Sequence, residues 1–300
     1  MTARPLLNDP ATLGLSRTVV PTRVGDVAVV AGRRTGGVAT ILLHGAAGSW
    51  TTWTPLLAAS DLDDVIAPDL PGWGESGGHE GVRSVEDLSD AVVEVAAALG
   101  HDRWHLVGHS LGGFVALDIA ARYAQQTLGV TLVSPTGASV VDAIRRPIRG
   151  GLVVPGFAGM LLAMRALARF GTGGLRIIRL LDRCGWMPAL TAPLFAGPAH
   201  PSVVAAFAGE VRPAAFARAA QLASRYDTQA WTGIRCTVRA VGGARDVFAD
   251  DTDAAAFGAL IADFGSVRLP GAGHFAHVEQ PRTVLAAMAE VRMPAATAAA

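Results

Sequence analysis

The segment Leu106-Val107-Gly108-His109-Ser110-Leu111-Gly112-Gly113 joins two different hydrophobic patterns. A short apolar run, Trp104 to Val107, leads into it, and apolar residues at helical spacing, Phe114 to Tyr123, follow it. This order predicts a strand, a one-residue turn at Ser110 and a helix. The glycines on either side of the turn remove Cβ atoms that would collide with a neighbouring strand or helix.

A serine at such a turn has a strained backbone, and its hydroxyl stands clear of the sheet edge. The first turn of the following helix directs its unpaired N–H groups, beginning with that of Leu111, toward the same place. Ser110 is therefore a candidate nucleophile. The five-residue pattern alone also fits a glycine-rich turn with an incidental serine, so other segments must decide between the two.

The composition indicates a globular chain and excludes several chemistries. The 300 residues are 51% hydrophobic and 17% charged, and 25 basic residues balance 25 acidic ones, so no charge excess favours nucleic acid. Every basic residue is arginine, which excludes lysine Schiff-base, pyridoxal-phosphate and Walker-A chemistry. Cys184 and Cys236 fit neither a disulfide framework nor a metal site, and we expect buried thiols. No cofactor or metal is expected.

The chain shows no secretory leader and no run of roughly 18 apolar residues. We therefore expect a cytoplasmic protein without an integral membrane segment. The alanine-rich residues 295–300 are expected to form a disordered tail. The sequence leaves open whether the chain forms a homo-oligomer.

Strand-like and helix-like segments alternate along most of the chain. Two β-branched runs, Arg17 to Thr22 and Val27 to Val30, are typical of a hairpin at a sheet edge. Further strands are expected at 40–43, 64–67, 104–107, 128–133, 235–241 and 266–269, and helices at 53–59, 85–99, 114–123, 250–264 and 281–290. Such alternation predicts parallel strands with right-handed crossovers. In sheets of this kind, active residues lie at the carboxyl ends of the strands.

Two loops at that edge have separate predicted roles. The small residues of His44-Gly45-Ala46-Ala47-Gly48 allow a close approach of the backbone, so the N–H of Ala46 is a candidate oxyanion donor across from Leu111. The same loop also fits an ordinary turn between a strand and a helix. Asp69, in the next loop, is expected to bind backbone amides in a tight turn and to take no part in catalysis.

The alternation stops between residues 135 and 226, where helical patterns are divided by glycine and proline. We interpret this segment as a helical cap over the site. Eight arginines and one acid lie between Arg145 and Arg183. Most are expected on a solvated helix face; the alternatives are attraction of an anionic substrate or of a membrane surface. Candidate pocket residues are Trp50, His109, Met160, Met164 and Trp186.

A serine hydroxyl attacks usefully only when a base removes its proton, and histidine suits that task. His274 follows the last predicted strand, and Asp246, which would fix the tautomer of the base, follows the strand before it. The order nucleophile, acid, base is the one described for Gly-x-Ser-x-Gly enzymes. His44 and His109 lie in tight turns and are interpreted as structural, and His277 is expected to point away.

These motifs together resemble the α/β-hydrolase superfamily. The similar positions are His44-Gly45, Asp69 to Ser76, Gly108 to Gly112, Asp246 and Gly271 to His274, the last followed by Glu279-Gln280-Pro281. The resemblance implies an eight-stranded, mostly parallel sheet with strand 2 antiparallel and a cap after strand 6. We expect residues 1–134 and 227–294 to form the core and 135–226 the cap. With serine as nucleophile, the chain looks unlike the dehalogenase and epoxide-hydrolase branches, which use a carboxylate there.

The sequence thus predicts a cofactor-free serine hydrolase that cleaves an ester, lactone or thioester through an acyl-enzyme. The large apolar cap favours a small hydrophobic acyl or ring substrate. One alternative keeps the triad and hydrolyses a carbon–carbon bond in a ring-cleavage product, with the basic cap binding a carboxylate. A lyase, a cofactor-free redox enzyme and a non-catalytic binding protein on the same scaffold are further alternatives.

Overall fold

The centre of the fold is an eight-stranded sheet in a computed structural model that describes residues 4–78, 80–249 and 252–292. The strands are β1 (Leu15–Thr22), β2 (Gly25–Gly32), β3 (Ala39–Leu43), β4 (Val65–Pro68), β5 (Trp104–His109), β6 (Thr127–Val133), β7 (Thr237–Gly243) and β8 (Phe264–Leu269). Their order across the sheet is β1-β2-β4-β3-β5-β6-β7-β8.

Strand β2 is antiparallel to both of its neighbours, β1 and β4, and all other neighbours pair in parallel. The prediction of an edge hairpin and a mostly parallel sheet is confirmed. Every residue of β3 and β4 is buried, as expected for central parallel strands covered on both faces. The carboxyl ends of β3, β5, β6, β7 and β8 therefore lie along one edge of the sheet.

Three helices alternate with the strands before β6. They are α1 (Thr54–Leu57), α2 (Val85–Ala98) and α3 (Leu111–Arg122). Ser84 begins α2 with a capping box, because its hydroxyl accepts from the Asp87 amide while the Asp87 carboxylate accepts from the Ser84 amide. Residues 111–120 of α3 are all buried. A helix that is buried on every side holds the Ser110 corner rigidly against the sheet.

Between β6 and β7 the described chain contains no strand and forms seven α-helices. They are α4 (Ala138–Arg145), α5 (Pro147–Val153), α6 (Pro155–Arg169), α7 (Thr172–Arg183), α8 (Met187–Thr191), α9 (Pro201–Glu210) and α10 (Pro213–Ala223). Four of them begin at a proline, whose missing N–H and fixed φ suit the first helical position. The helices occupy the predicted cap segment, and the division into a core and a separate cap domain stays a prediction.

The last helices are α11 (Asp253–Leu260), α12 (Ala276–Glu279) and α13 (Pro281–Arg292). The prediction of one helix over 250–264 is wrong at its end. Ile261 is extended, and Phe264 already belongs to β8, where its ring packs 5.6 Å from that of Phe257. Residues 250 and 251 and the predicted tail at 295–300 lie outside the described residues.

Apolar side chains of the sheet alternate between two buried layers. Ile41 and Leu106 pack on the side of Phe114 in α3, whereas Leu42 and Val107 pack on the side of Trp53. This period of two is the pattern of a strand covered on both faces. Among the helices of the described ranges, none combines the length and the apolar character needed to cross a bilayer.

Candidate active site

Ser110 forms the corner between β5 and α3, with φ 49° and ψ −115°. Few residues other than glycine adopt a positive φ, so the corner stores strain that its surroundings must support. The Ser110 amide donates to the carbonyl of Val133 at 3.0 Å, and the Ser110 carbonyl accepts from the amides of Gly113 and Thr136. These hydrogen bonds fix the corner to β6 and to the loop that follows it.

The glycines beside Ser110 are required by close packing. A Cβ on Gly108 would overlap the backbone of α3 at Gly112, and a Cβ on Gly112 would overlap the carbonyl of Leu43 at the end of β3. A Cβ on Gly45 would lie 3.0 Å from the Cβ of Ser110. The loop after β3 therefore reaches the Ser110 corner at van der Waals distance.

Asp246 and His274 are in direct contact, although 28 residues separate them. The Nδ1 atom of His274 lies 3.0 Å from each carboxylate oxygen of Asp246, and the amide of Phe248 donates to the same carboxylate at 2.9 Å. Burial would raise the pKa of Asp246, but the two contacts outweigh it and lower the pKa below the usual value. An ionised carboxylate only accepts, so Nδ1 carries the proton and Nε2 is left as the acceptor.

Ser110 and His274 line the same apolar pocket, together with residues of α4, α6, α9 and α10. Its empty volume is about 690 Å³, part of which is open to solvent. Apart from Ser110, Thr136 and His274, the lining side chains are apolar. They include Val140, Ile144, Phe157, Met160, Leu194, Phe207, Phe216, Phe248 and Phe275. No arginine lines this pocket within the described chain.

The two predicted oxyanion donors, Ala46 and Leu111, also line the pocket. Ala46 lies in a turn closed by a hydrogen bond from the Gly48 amide to the Gly45 carbonyl, in which Ala47 has a φ of 66°. Within residues 4–78, 80–249 and 252–292, no group accepts a hydrogen bond from the amide of Ala46 or of Leu111. Both N–H groups are thus available to a ligand next to Ser110.

Four of the five predicted pocket residues lie elsewhere, and Met160 alone of the five is part of the lining. Trp50 is buried beside the core, where its amide donates to Asp69. The His109 ring is buried beneath His274, and its Nε2 donates to the His274 carbonyl at 3.0 Å. Met164 packs half-buried on the core, and Trp186 is exposed. Met164 lies in α6, whereas Trp186 lies in the turn between α7 and α8.

The side chains interpreted as structural have structural contacts. His44 accepts from the Leu70 amide through Nε2 and donates to the Gly45 carbonyl through Nδ1, and burial lowers its pKa, so it is neutral. Asp69 accepts from the amides of Trp50 and Glu75. His277 lies away from the pocket, with its ring 4.5 Å from that of His109, and burial lowers its pKa to about 3.

Contacts that the sequence did not predict join the His274 loop to the cap. The amide of His274 donates to the carbonyl of Leu194 at 2.8 Å. The buried carboxyl of Glu279 accepts from the amide of Gly273 at 2.7 Å and from the amide of Ala196 at 2.8 Å. An acid in the apolar stretch after His274 was the available sequence signal, because a buried carboxylate needs donors close by.

The two thiols are free and apart from the site. Cys184, expected to be buried, is exposed because it lies at the end of α7. Cys236 is half-buried, and burial raises its pKa to about 11. In the part of the chain that the structure describes, no three His, Cys, Asp or Glu side chains are grouped to hold a metal ion.

A model of the alpha/beta hydrolase family matches residues 40–287, which is most of the chain. The chain belongs to this family. As an alpha/beta hydrolase it resembles the epoxide hydrolase CorEH in fold, with a TM-score of 0.73 at 20% identity over 92% of this chain and 98% of the other. The esterase from Thermogutta terrifontis gives a TM-score of 0.68 at 23% identity over 92% and 97% of the two chains.

Two curated relatives are similar over shorter segments. The dihydrolipoyllysine-residue acetyltransferase component of the acetoin cleaving system of Cupriavidus necator is 34% identical over 43% of this chain and 35% of its own length. The 2-hydroxy-6-oxo-6-phenylhexa-2,4-dienoate hydrolase of Burkholderia cepacia is 37% identical over 34% of this chain and 37% of its own. The match therefore spans little more than a third of these relatives.

Proposed function

We propose that this alpha/beta hydrolase is a serine hydrolase that cleaves an ester, lactone or thioester of a hydrophobic substrate. Ser110 attacks the carbonyl carbon, and His274 takes the hydroxyl proton and returns it to the leaving group. Asp246 orients the imidazole and stabilises its charged form. Water then attacks the acyl-enzyme with His274 again as the base, which frees Ser110.

The observation that carries this proposal is the paired contact of His274 Nδ1 with both oxygens of Asp246, at the edge of a pocket that Ser110 also lines. A carboxylate in this position fixes the neutral tautomer whose Nε2 can accept a proton. The free amides of Ala46 and Leu111 supply two donors for the oxygen that becomes negative during attack. Preorganised donors of this kind are each worth about 3 kcal/mol in the transition state.

The substrate class follows from the pocket. Its walls are aromatic and aliphatic side chains, which favour an apolar acyl chain or ring. We expect kcat/KM for p-nitrophenyl esters to rise from acetate to hexanoate or longer, as each buried methylene adds about 0.8 kcal/mol.

Ser110→Ala should lower turnover of the best ester by about a thousandfold or more. Near-normal turnover by folded Ser110→Ala protein would contradict the proposal.

Carbon–carbon hydrolysis is a second candidate because of the similarity to the Burkholderia cepacia hydrolase. That reaction class was expected to use basic cap residues for a substrate carboxylate, and the described pocket wall contains no arginine. The pocket therefore favours the ester. An assay of a vinylogous diketo acid beside the best ester separates the two reactions. Faster turnover of the diketo acid would make carbon–carbon hydrolysis the favoured function.

A further inference from the structure

Helix α6 covers the pocket with one face and presents an apolar face to solvent. Phe157 and Met160 contribute to the pocket lining. On its exposed side the helix carries Gly159, Leu162, Ala163 and Ala166, then Arg169 in its last turn and Phe170 directly after its end. Leu162 is 71% exposed and Phe170 66%. A solvent-facing helix stripe is normally polar, so this stripe is unusual for a face that only meets water.

The helices near α6 carry further exposed apolar side chains. Helices α5 and α7 both contact α6, and α8 follows α7 after a short turn. On α5, Ile148 is 90% and Leu152 83% exposed. We define the exposed cap surface as the exposed large apolar side chains of this region, which are Ile148, Leu152, Val153, Leu162, Phe170, Ile177, Leu180, Trp186 and Leu190.

The same helices carry a concentrated positive charge. Asp182 is the single acid between Arg145 and Arg183, against eight arginines, in a chain whose formal net charge is zero. The rest of the chain is therefore acidic. The Arg146 guanidinium lies 3.6 Å from a carboxylate oxygen of Asp142. The Arg145 guanidinium donates to the carbonyls of Ser224 and Tyr226. The other six have no carboxylate partner among the described residues, and they are Arg149, Arg165, Arg169, Arg176, Arg179 and Arg183.

We infer that the exposed cap surface binds the surface of an anionic lipid bilayer. The apolar side chains would enter the boundary between headgroups and acyl chains while the guanidinium groups meet lipid phosphates. Trp186 has the amphipathic ring that prefers this interface. A second copy of the chain fits the surface less well, because symmetric pairing would bring the unpaired arginines of both copies together.

This arrangement would place α6, which lines the pocket, directly on the lipid. The apolar pocket and the apolar outer stripe then lie on opposite faces of α6. The inference concerns binding alone and stands whether or not Ser110 is catalytic. Folded Ser110→Ala protein should therefore bind vesicles as the wild type does, which separates a failure of this inference from a failure of the proposed function.

The test is flotation of the full chain with vesicles of phosphatidylcholine alone or with 30 mol% phosphatidylglycerol. Wild-type protein should float with the anionic vesicles and bind the neutral ones much more weakly. Arg169→Ala with Arg176→Ala should weaken binding roughly thirtyfold, since each basic residue near a membrane contributes about 1 kcal/mol. Leu162→Ser with Phe170→Ser should also release the protein.

The matched control is Arg103→Ala with Arg235→Ala. These exposed arginines precede β5 and β7, at the sheet edge opposite the cap, and their loss changes net charge equally. Binding should be unchanged to within about twofold. Equal weakening by both arginine pairs, or no flotation with anionic vesicles, would overturn the inference. So would a solution dimer that Leu162→Ser dissociates in a protein that binds no vesicles.

Discussion

The contact between Asp246 and His274 determines which imidazole nitrogen is left without a proton. Both carboxylate oxygens lie 3.0 Å from Nδ1, and the Phe248 amide holds the carboxylate in place. The lowered pKa of Asp246 keeps it ionised at neutral pH and below. In the proposed reaction the carboxylate therefore acts through the tautomer and orientation of the His274 imidazole.

Replacement of Asp246 by asparagine tests that role. An amide NH₂ would donate to Nδ1 and hold the tautomer that has its proton on Nε2, so we expect kcat for the best ester to fall by about 10⁴. KM should change little, because the pocket wall is intact. Asp263→Asn is the control, since this carboxylate binds Thr237 and Arg239 at the far end of β7. An equal loss of kcat in Asp246→Asn and Asp263→Asn would argue against a tautomer effect.

The fit around Ser110 gives a second prediction at the scale of single residues. Gly112→Ala would drive a Cβ into the Leu43 carbonyl, so we expect it to reduce the free energy of unfolding by about 3 kcal/mol or more. Gly159→Ala is the control, because no atom lies within 4 Å of its added Cβ inside α6. Gly159→Ala should raise the free energy of unfolding by up to about 1 kcal/mol. Urea unfolding of both variants measures the two free energies. A Gly112→Ala protein as stable as the wild type would contradict the packing argument.

At the scale of elements, hydrogen bonds of a half-buried carboxyl connect α9 to the loop after β3. Glu210, the last residue of α9, accepts hydrogen bonds from the hydroxyls of Ser49 at 2.7 Å and Thr51 at 3.0 Å. Its other oxygen is buried without a hydrogen-bond partner in the described chain. Burial raises the pKa of Glu210 to about 7, more than the two hydroxyls lower it.

A raised carboxyl pKa stabilises the folded state at low pH. Glu210 is neutral in both states below about 4.5, and its contribution is lost as the pH rises through about 7. Glu210→Gln stays neutral, so between pH 5 and 8 the wild type should lose up to about 3 kcal/mol of unfolding free energy relative to the variant. The control Glu80→Gln, on an exposed loop, should show no such difference. A difference that is independent of pH would contradict the account.

The elements themselves were largely predictable because their signals are local. The apolar and β-branched runs of the strands and the helical spacing after Ser110 each depend on a few neighbouring residues. The helix predicted over 250–264 ended too late, because the pairing of β8 with β7 takes Phe264 into the sheet. That competition between elements is a tertiary effect, which a local pattern does not contain.

At the scale of the whole molecule, the sheet brings together side chains that lie far apart in the sequence. Asp246 and His274 were predictable because residues after parallel strands meet at one edge. The pocket wall was not, since Met160 and Met164 lie four residues apart in α6 and only Met160 lines the pocket, a difference that tertiary packing decides. The link between His274 and Leu194 depends on the same packing.

The most direct test of the account is reaction of the whole protein with a fluorophosphonate, which modifies a serine only when a neighbouring base activates it. We predict one label per chain, located on Ser110 by mass spectrometry of the peptides, and strongly slowed labelling in His274→Ala. A folded protein that remains unlabelled, or one labelled at another serine while Ser110 stays free, would contradict the account.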